Sequence, residues 1–290
     1  KLYIERGYCM STAPTGYEDL TKQILKQWED LKMDLISKNI EPLSLDNVTD
    51  QYPFFDRFDQ VVEASKDLFT HTISELGPLY RGTGINENIN LNDYDRMIPT
   101  PYWVRDHNRM NPPGVAYLYL GTLPKQKGKN LETEKRFILK TISSELRAQK
   151  GDFYTVCRFE SQNDKNIFDL SGDSLIPKGE KDIDTYLSEK LKNVHNSQRR
   201  TQIVNRIMAA FYFNLFNIEG IFKPINTENS KIKEFEYAPF QLLASYFKTL
   251  GYAGIKYRST VHKGGTNLVL FDVSDVRIVP DSMELLTVKD

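Results

Sequence analysis

The chain has 290 residues, 40% hydrophobic and 27% charged, which suits one or two folded domains and excludes a disordered chain. Its 38 Lys and Arg against 39 Asp and Glu leave a net charge of −1, so no overall field draws nucleic acid, and such a role would need a local patch. No run approaches the ~18 apolar residues of a membrane span, and Cys9 and Cys157 lack disulfide or zinc spacing, which points to a reducing cytoplasm.

Residues 1–77 read as a helical extension. Thr15 and Glu18 have capping-box spacing, and Leu20, Ile24, Leu25, Trp28, Leu31 and Leu35 then recur at helical intervals. Pro42 and Ser44-Leu45-Asp46-Asn47 break this helix. A second amphipathic run from Phe54 to Ile73 stops at Gly77-Pro78. From residue 78 to 290 the pattern mixes helices and strands without regular alternation, which predicts an α+β fold. Leu79–Gly82 is a short strand and 85–114 a long Asn-, Asp-, Pro- and Gly-rich loop, of the kind that usually carries function. Strands at 116–120 and 153–159 flank a helix over 131–149, and 160–182 reads as polar loop. Helices follow at 183–192, 199–217 and 239–250, then strands at 254–258, 267–272 and 276–279.

Several residues sit where chemistry could use them. Glu145 shares a helix face with Ile138 and Ile142, either as an edge carboxylate reaching water or as a group kept for a purpose. Arg81 precedes Gly82-Thr83-Gly84 and Arg109 precedes Asn111-Pro112-Pro113-Gly114, sequences that let backbone approach a ligand; each arginine either grips phosphate or pairs with a surface carboxylate. Tyr117 and Tyr119 point to one face of their strand, to stack on a planar ring or simply to fill the core. Ser259 ends a strand without a Gly-x-Ser-x-Gly elbow, so it is no hydrolase nucleophile. His71, His107, His195 and His262 have no metal-ligand spacing, and Lys190, Lys192, Arg199, Arg200 and Arg206 read as a solvated helix face.

In order, these pieces resemble the RES-domain toxins. The resemblance rests on Leu79-Tyr80-Arg81-Gly82, Arg109 through Leu120, Ser143-Ser144-Glu145-Leu146-Arg147, Pro239 through Leu243, Gly251 through Ser259, and Asn267 through Phe271. It implies an ADP-ribosyltransferase-like fold over residues 78–290, behind the helical extension 1–77, with residues 160–235 longer than in the smallest members. It also implies an enzyme that degrades NAD without a metal. Arg81, Glu145 and Ser259 would be catalytic, and Arg81, Arg109, Tyr117 and Tyr119 would hold the dinucleotide. Water or phosphate would be the acceptor; the alternatives are ADP-ribosyl transfer to a protein or nucleic acid, and a non-catalytic NAD-binding protein. An antitoxin, and a second copy of the chain, are the implied partners.

Overall fold

The computed structural model describes residues 17–38, 40, 48–84, 90–124, 130–171, 183–218, 221–222 and 225–288. Cys9, the Thr15 cap and the break at Pro42 and Ser44–Asn47 lie outside them. The helices are α1 (Tyr17–Ser37), α2 (Val48–Gln51), α3 (Pro53–Phe69), α4 (Leu131–Glu145), α5 (Ile183–Leu191), α6 (Ser197–Ile218) and α7 (Ser230–Thr249). The strands are β1 (Thr70–Thr72), β2 (Leu79–Gly84), β3 (Leu118–Thr122), β4 (Phe153–Ser161), β5 (Asn166–Asp169), β6 (Gly254–Arg258), β7 (Thr266–Leu270), β8 (Val276–Ile278) and β9 (Glu284–Thr287). The class is α+β, as the sequence pattern predicts.

The nine strands form one sheet in the order β1-β5-β6-β7-β3-β2-β4-β8, with β9 also on β4, and only β5 and β6 run parallel. Side chains alternate across it. Ile255 and Val269 face α1, α3, α6 and α7, where Trp28, Phe54, Phe55, Phe58, Phe213 and Phe247 form an aromatic core. Leu268 and Leu270 turn the other way, onto Leu79, Leu118, Leu120 and Phe159. The ring contacts are mainly edge-on, such as Trp28 on Phe240 at 4.9 Å.

Three short strands escape the sequence reading. Thr70–Thr72, Asn166–Asp169 and Glu284–Thr287 have too few residues for a period of two to show, yet all three pair within the sheet. The segment 160–235 therefore supplies β5, an interior strand, as well as α5, α6 and the start of α7. Likewise β1 and the helices before it share the sheet and the aromatic core with the rest of the chain, so no break in packing falls at residue 77. The loop after β2 is punctuated by single 3-10 turns at Asp95–Met97 and Pro101–Trp103.

Helix α4 crosses the sheet closely. A Cβ at Gly82 would lie 2.2 Å from Ile142 Cγ2, and one at Gly121 would lie 3.0 Å from Ile138 and Ile142. Gly82 thus admits a helix of this chain, where the sequence reading had it admit a ligand. The joint between the sheet's halves is slight: β2 and β3 are bridged only at Tyr80↔Gly121.

Candidate active site

Glu145 is the last residue of α4, one position before the capping Leu146. Ile138 and Ile142 are buried, but the helix ends here and the carboxylate projects past their stripe to an exposed position. A negative charge at a helix C-terminus opposes the helix dipole, and the last turn holds no basic residue to offset it. Ser259 and Asn267 hold it instead. The Ser259 hydroxyl donates to Glu145 Oε1 at 2.7 Å and the Asn267 Nδ2 donates to the same oxygen at 2.5 Å.

Both donors are themselves fixed. Ser259 Oγ accepts the backbone N–H groups of His262 at 3.0 Å and Val261 at 3.3 Å, which leaves its own proton aimed at the carboxylate. Asn267 is buried on β7, in register with Tyr257 on β6. Burial holds the Tyr257 hydroxyl protonated far beyond the usual tyrosine range. Two donors therefore occupy Oε1, and among the described residues Oε2 carries no hydrogen bond and stays open to a substrate.

Arg109 approaches the same turn. Its Nη2 donates to Thr260 Oγ1 at 3.3 Å, and its guanidinium lies 5.7 to 6.0 Å from the rings of Phe240, Phe222 and Tyr257. Such rings attract a cation by their quadrupole and keep it in place. The loop that carries it is pinned from two sides. The Tyr119 hydroxyl donates to Asn111 Oδ1 at 2.7 Å and accepts the Met110 N–H at 3.1 Å, while the buried Gln241 donates to the Asn108 carbonyl at 3.0 Å.

Arg81 is the first β2 residue past the bridge to β3. It is half-buried, its Nε has no hydrogen-bond partner among the described residues, and desolvation pulls its pKa from 12.5 to about 10. Its field reaches Tyr119, which also interacts with Arg109 and Tyr257. A half-buried cation with an unsatisfied donor is costly unless an anionic partner meets it.

The structure thus bonds Glu145 to Ser259 and sets Arg109 on Thr260, the next residue, while among the described residues no hydrogen bond or ion pair ties Arg81 to them. Tyr117 lies apart, 3% exposed in the aromatic core and 5.1 Å from Phe271. Tyr119 is tied to its loop by the hydroxyl. Sequence reading passes over Asn267, Tyr257, Thr260 and Arg147 as site residues; the one available signal was an amide, Asn267, heading an apolar strand.

Two residues past Glu145, Arg147 borders an open groove of about 200 Å³ together with His107, Arg109, Glu228, Lys233 and Tyr237. Arg147 donates through Nη1 to Asn226 Oδ1 at 2.6 Å and through Nη2 to the Ile225 carbonyl at 2.9 Å.

The family model described as the RES domain matches residues 218–286, a stretch that includes Ser259 and Asn267. Arg81, Arg109 and Glu145 precede the matched stretch, and Arg109 and Glu145 are joined to it by the contacts above. No curated protein matches the chain. Among solved structures, the toxin–antitoxin complex MbcT–MbcA of M. tuberculosis is similar at 16% identity, over 78% of this chain and 92% of that one, with a TM-score of 0.32.

Proposed function

With the RES-domain match over residues 218–286 as premise, we propose that the chain is a cytoplasmic toxin that cleaves the nicotinamide–ribose bond of NAD. The observation that carries this reading is the single free oxygen of Glu145. A carboxylate placed against the helix dipole, with one oxygen occupied by two fixed donors, is set to face developing positive charge.

The bond between ribose C1′ and the nicotinamide nitrogen breaks with its electron pair going to the nitrogen, which turns the cationic pyridinium into a neutral leaving group. Positive charge grows on C1′ and the ring oxygen, as in glycoside cleavage. Glu145 Oε2 stabilises that charge or holds a ribose hydroxyl, and Ser259 and Asn267 keep it aimed. Arg81 and Arg109 neutralise the pyrophosphate. Tyr119 closes the pocket wall, and Tyr117 supports it from the core. Water, losing a proton, or inorganic phosphate completes the reaction at C1′. No step calls for a metal. A second protein that covers the cleft would act as antitoxin.

The test is to add purified protein to NAD labelled in the adenylate half, after treatment with a chelator. Free nicotinamide with a small labelled ADP-ribose product is the expected result. Label retained on protein or nucleic acid would assign a transferase instead. NAD left intact, with binding by calorimetry, would assign a non-catalytic binder.

A further inference from the structure

Helix α4 ends in a Schellman motif. The Arg147 N–H bonds to the Ser144 carbonyl at 3.0 Å, and the Ala148 N–H bonds to the Ser143 carbonyl at 3.1 Å. The residue at the turn must adopt left-handed backbone, and Arg147 does so at φ +52°. Glycine takes this position without cost, whereas a side chain there is strained. An arginine is thus held at a place where the fold would do better with none. Arg147 also has no carboxylate partner among the described residues. Its two hydrogen bonds go to a carbonyl and an amide, both neutral, and use two of five guanidinium N–H donors. Lys233 across the groove is answered by Asp106 at 2.5 Å and by Glu228, the carboxylate that lines the groove, at 3.8 Å, so the charges of Lys233 and Glu228 are met by each other and by Asp106. Arg147 stands two residues after Glu145 and borders the groove with Arg109.

From this geometry we infer that the groove between Arg109 and Arg147 is an anion site, and that Arg147 binds a phosphoryl group of the substrate beside Glu145. The inference deepens the NAD-cleaving reading and rests on it for the identity of the substrate. The neutral contacts to Ile225 and Asn226 orient the guanidinium without cancelling its charge, so the fork meets a phosphate already aligned.

The test compares the full-length protein with Arg147→Gly, Arg147→Lys and Asn226→Ala. Glycine relieves the backbone, so Arg147→Gly should melt no lower than wild type. Its KM for NAD should rise about 10- to 100-fold, the loss of one charge-assisted contact, while kcat falls far less. Arg147→Lys should lie between, lacking the bidentate fork. Asn226→Ala, which breaks one orienting bond and leaves the charge, should shift KM by no more than about threefold. Calorimetry with ADP-ribose and with adenosine separates the two ideas. Weakened ADP-ribose binding and unchanged adenosine binding in Arg147→Gly support the anion site even if wild type leaves NAD uncleaved, in which case only the functional reading falls. A wild-type KM and ADP-ribose affinity in Arg147→Gly overturn the inference. So does an Asn226→Ala loss as large as that of Arg147→Gly, which would make Arg147 a staple for residues 225–226.

Discussion

Glu145 and Arg81 stand in opposite environments, and the proposed reaction makes a different demand on each. Glu145 is exposed and held by two neutral donors, so Glu145→Gln keeps length and helix propensity while removing the charge. We expect a folded protein whose NAD turnover drops by about 10²–10³. Turnover within about threefold of wild type would remove the carboxylate from the mechanism. Arg81 is half-buried, with its Nε unsatisfied and a pKa pulled to about 10. A cation with a native pKa below its unfolded value destabilises the fold while charged, and that penalty lifts only as pH rises from about 10 towards 12.5. At neutral pH, Arg81→Met should therefore stabilise the ligand-free protein, by about 1–3 kcal/mol. It should also abolish the rise in melting temperature that ADP-ribose brings to wild type. A thermal-shift titration reads both, and an Arg81→Met protein that melts lower and still responds to ADP-ribose would refute the assignment.

At the scale of elements, α4 is the part that places Glu145, and its seat on the sheet is made by glycines. A methyl at Gly82 would stand 2.2 Å from Ile142 Cγ2, an atom on a stiff β-branched carbon. Gly82→Ala should therefore push α4 outward, cost about 1–3 kcal/mol, and lower kcat although every polar site residue remains. Shortening the obstructing side chain should compensate. In a double-mutant cycle, Gly82→Ala with Ile142→Ala should recover part of the loss, a coupling typical of residues in contact. Strictly additive losses would show that the two residues do not share this space. The N-terminal helices are a second case. Phe54, Phe55 and Phe58 of α3 are at most 1% exposed and pack on Tyr212, Phe213, Tyr246 and Phe247 of α6 and α7. A protein starting at Pro78 would bare that surface and aggregate on expression; a soluble monomer with wild-type melting would show the helices to be dispensable.

For the whole molecule, the buried tyrosines outweigh the desolvated Arg81 in setting alkaline stability. Burial raises Tyr117 to about 12 and pushes Tyr119, Tyr212, Tyr246 and Tyr257 well above the ordinary tyrosine range. An unfolded tyrosine ionises near 10, so above that pH the unfolded chain loses protons that the folded chain keeps. Stability from these groups is complete below pH 10 and lost as pH rises beyond it. Arg81 acts in the opposite sense over the same range, but it is one group against five. The melting temperature should fall steadily from about pH 10 upward; a flat or rising profile would mean that the tyrosines ionise freely in the folded state.

The sequence by itself determined the α+β class, the positions of α3 and α6, the start of α4, the C-terminal half of α7 and the strands β2, β4, β6 and β7, because apolar periodicity is a local property of the chain. It also marked Arg81, Arg109, Glu145 and Ser259 through their order along the chain. The tertiary structure alone decided that Glu145 is exposed, since a helix's end depends on where its Schellman turn falls and not on the face its residues share. Only the tertiary structure brought Asn267 to the carboxylate, through the register of β7 against β6, and put Tyr117 in the core, through packing on Phe271. It likewise turned Gly82 from a ligand approach into a helix seat and joined α1, α2 and α3 to the same core. The seats of Gly82, Asn267 and Tyr117 each depend on a partner more than 50 residues away, which no local pattern can carry.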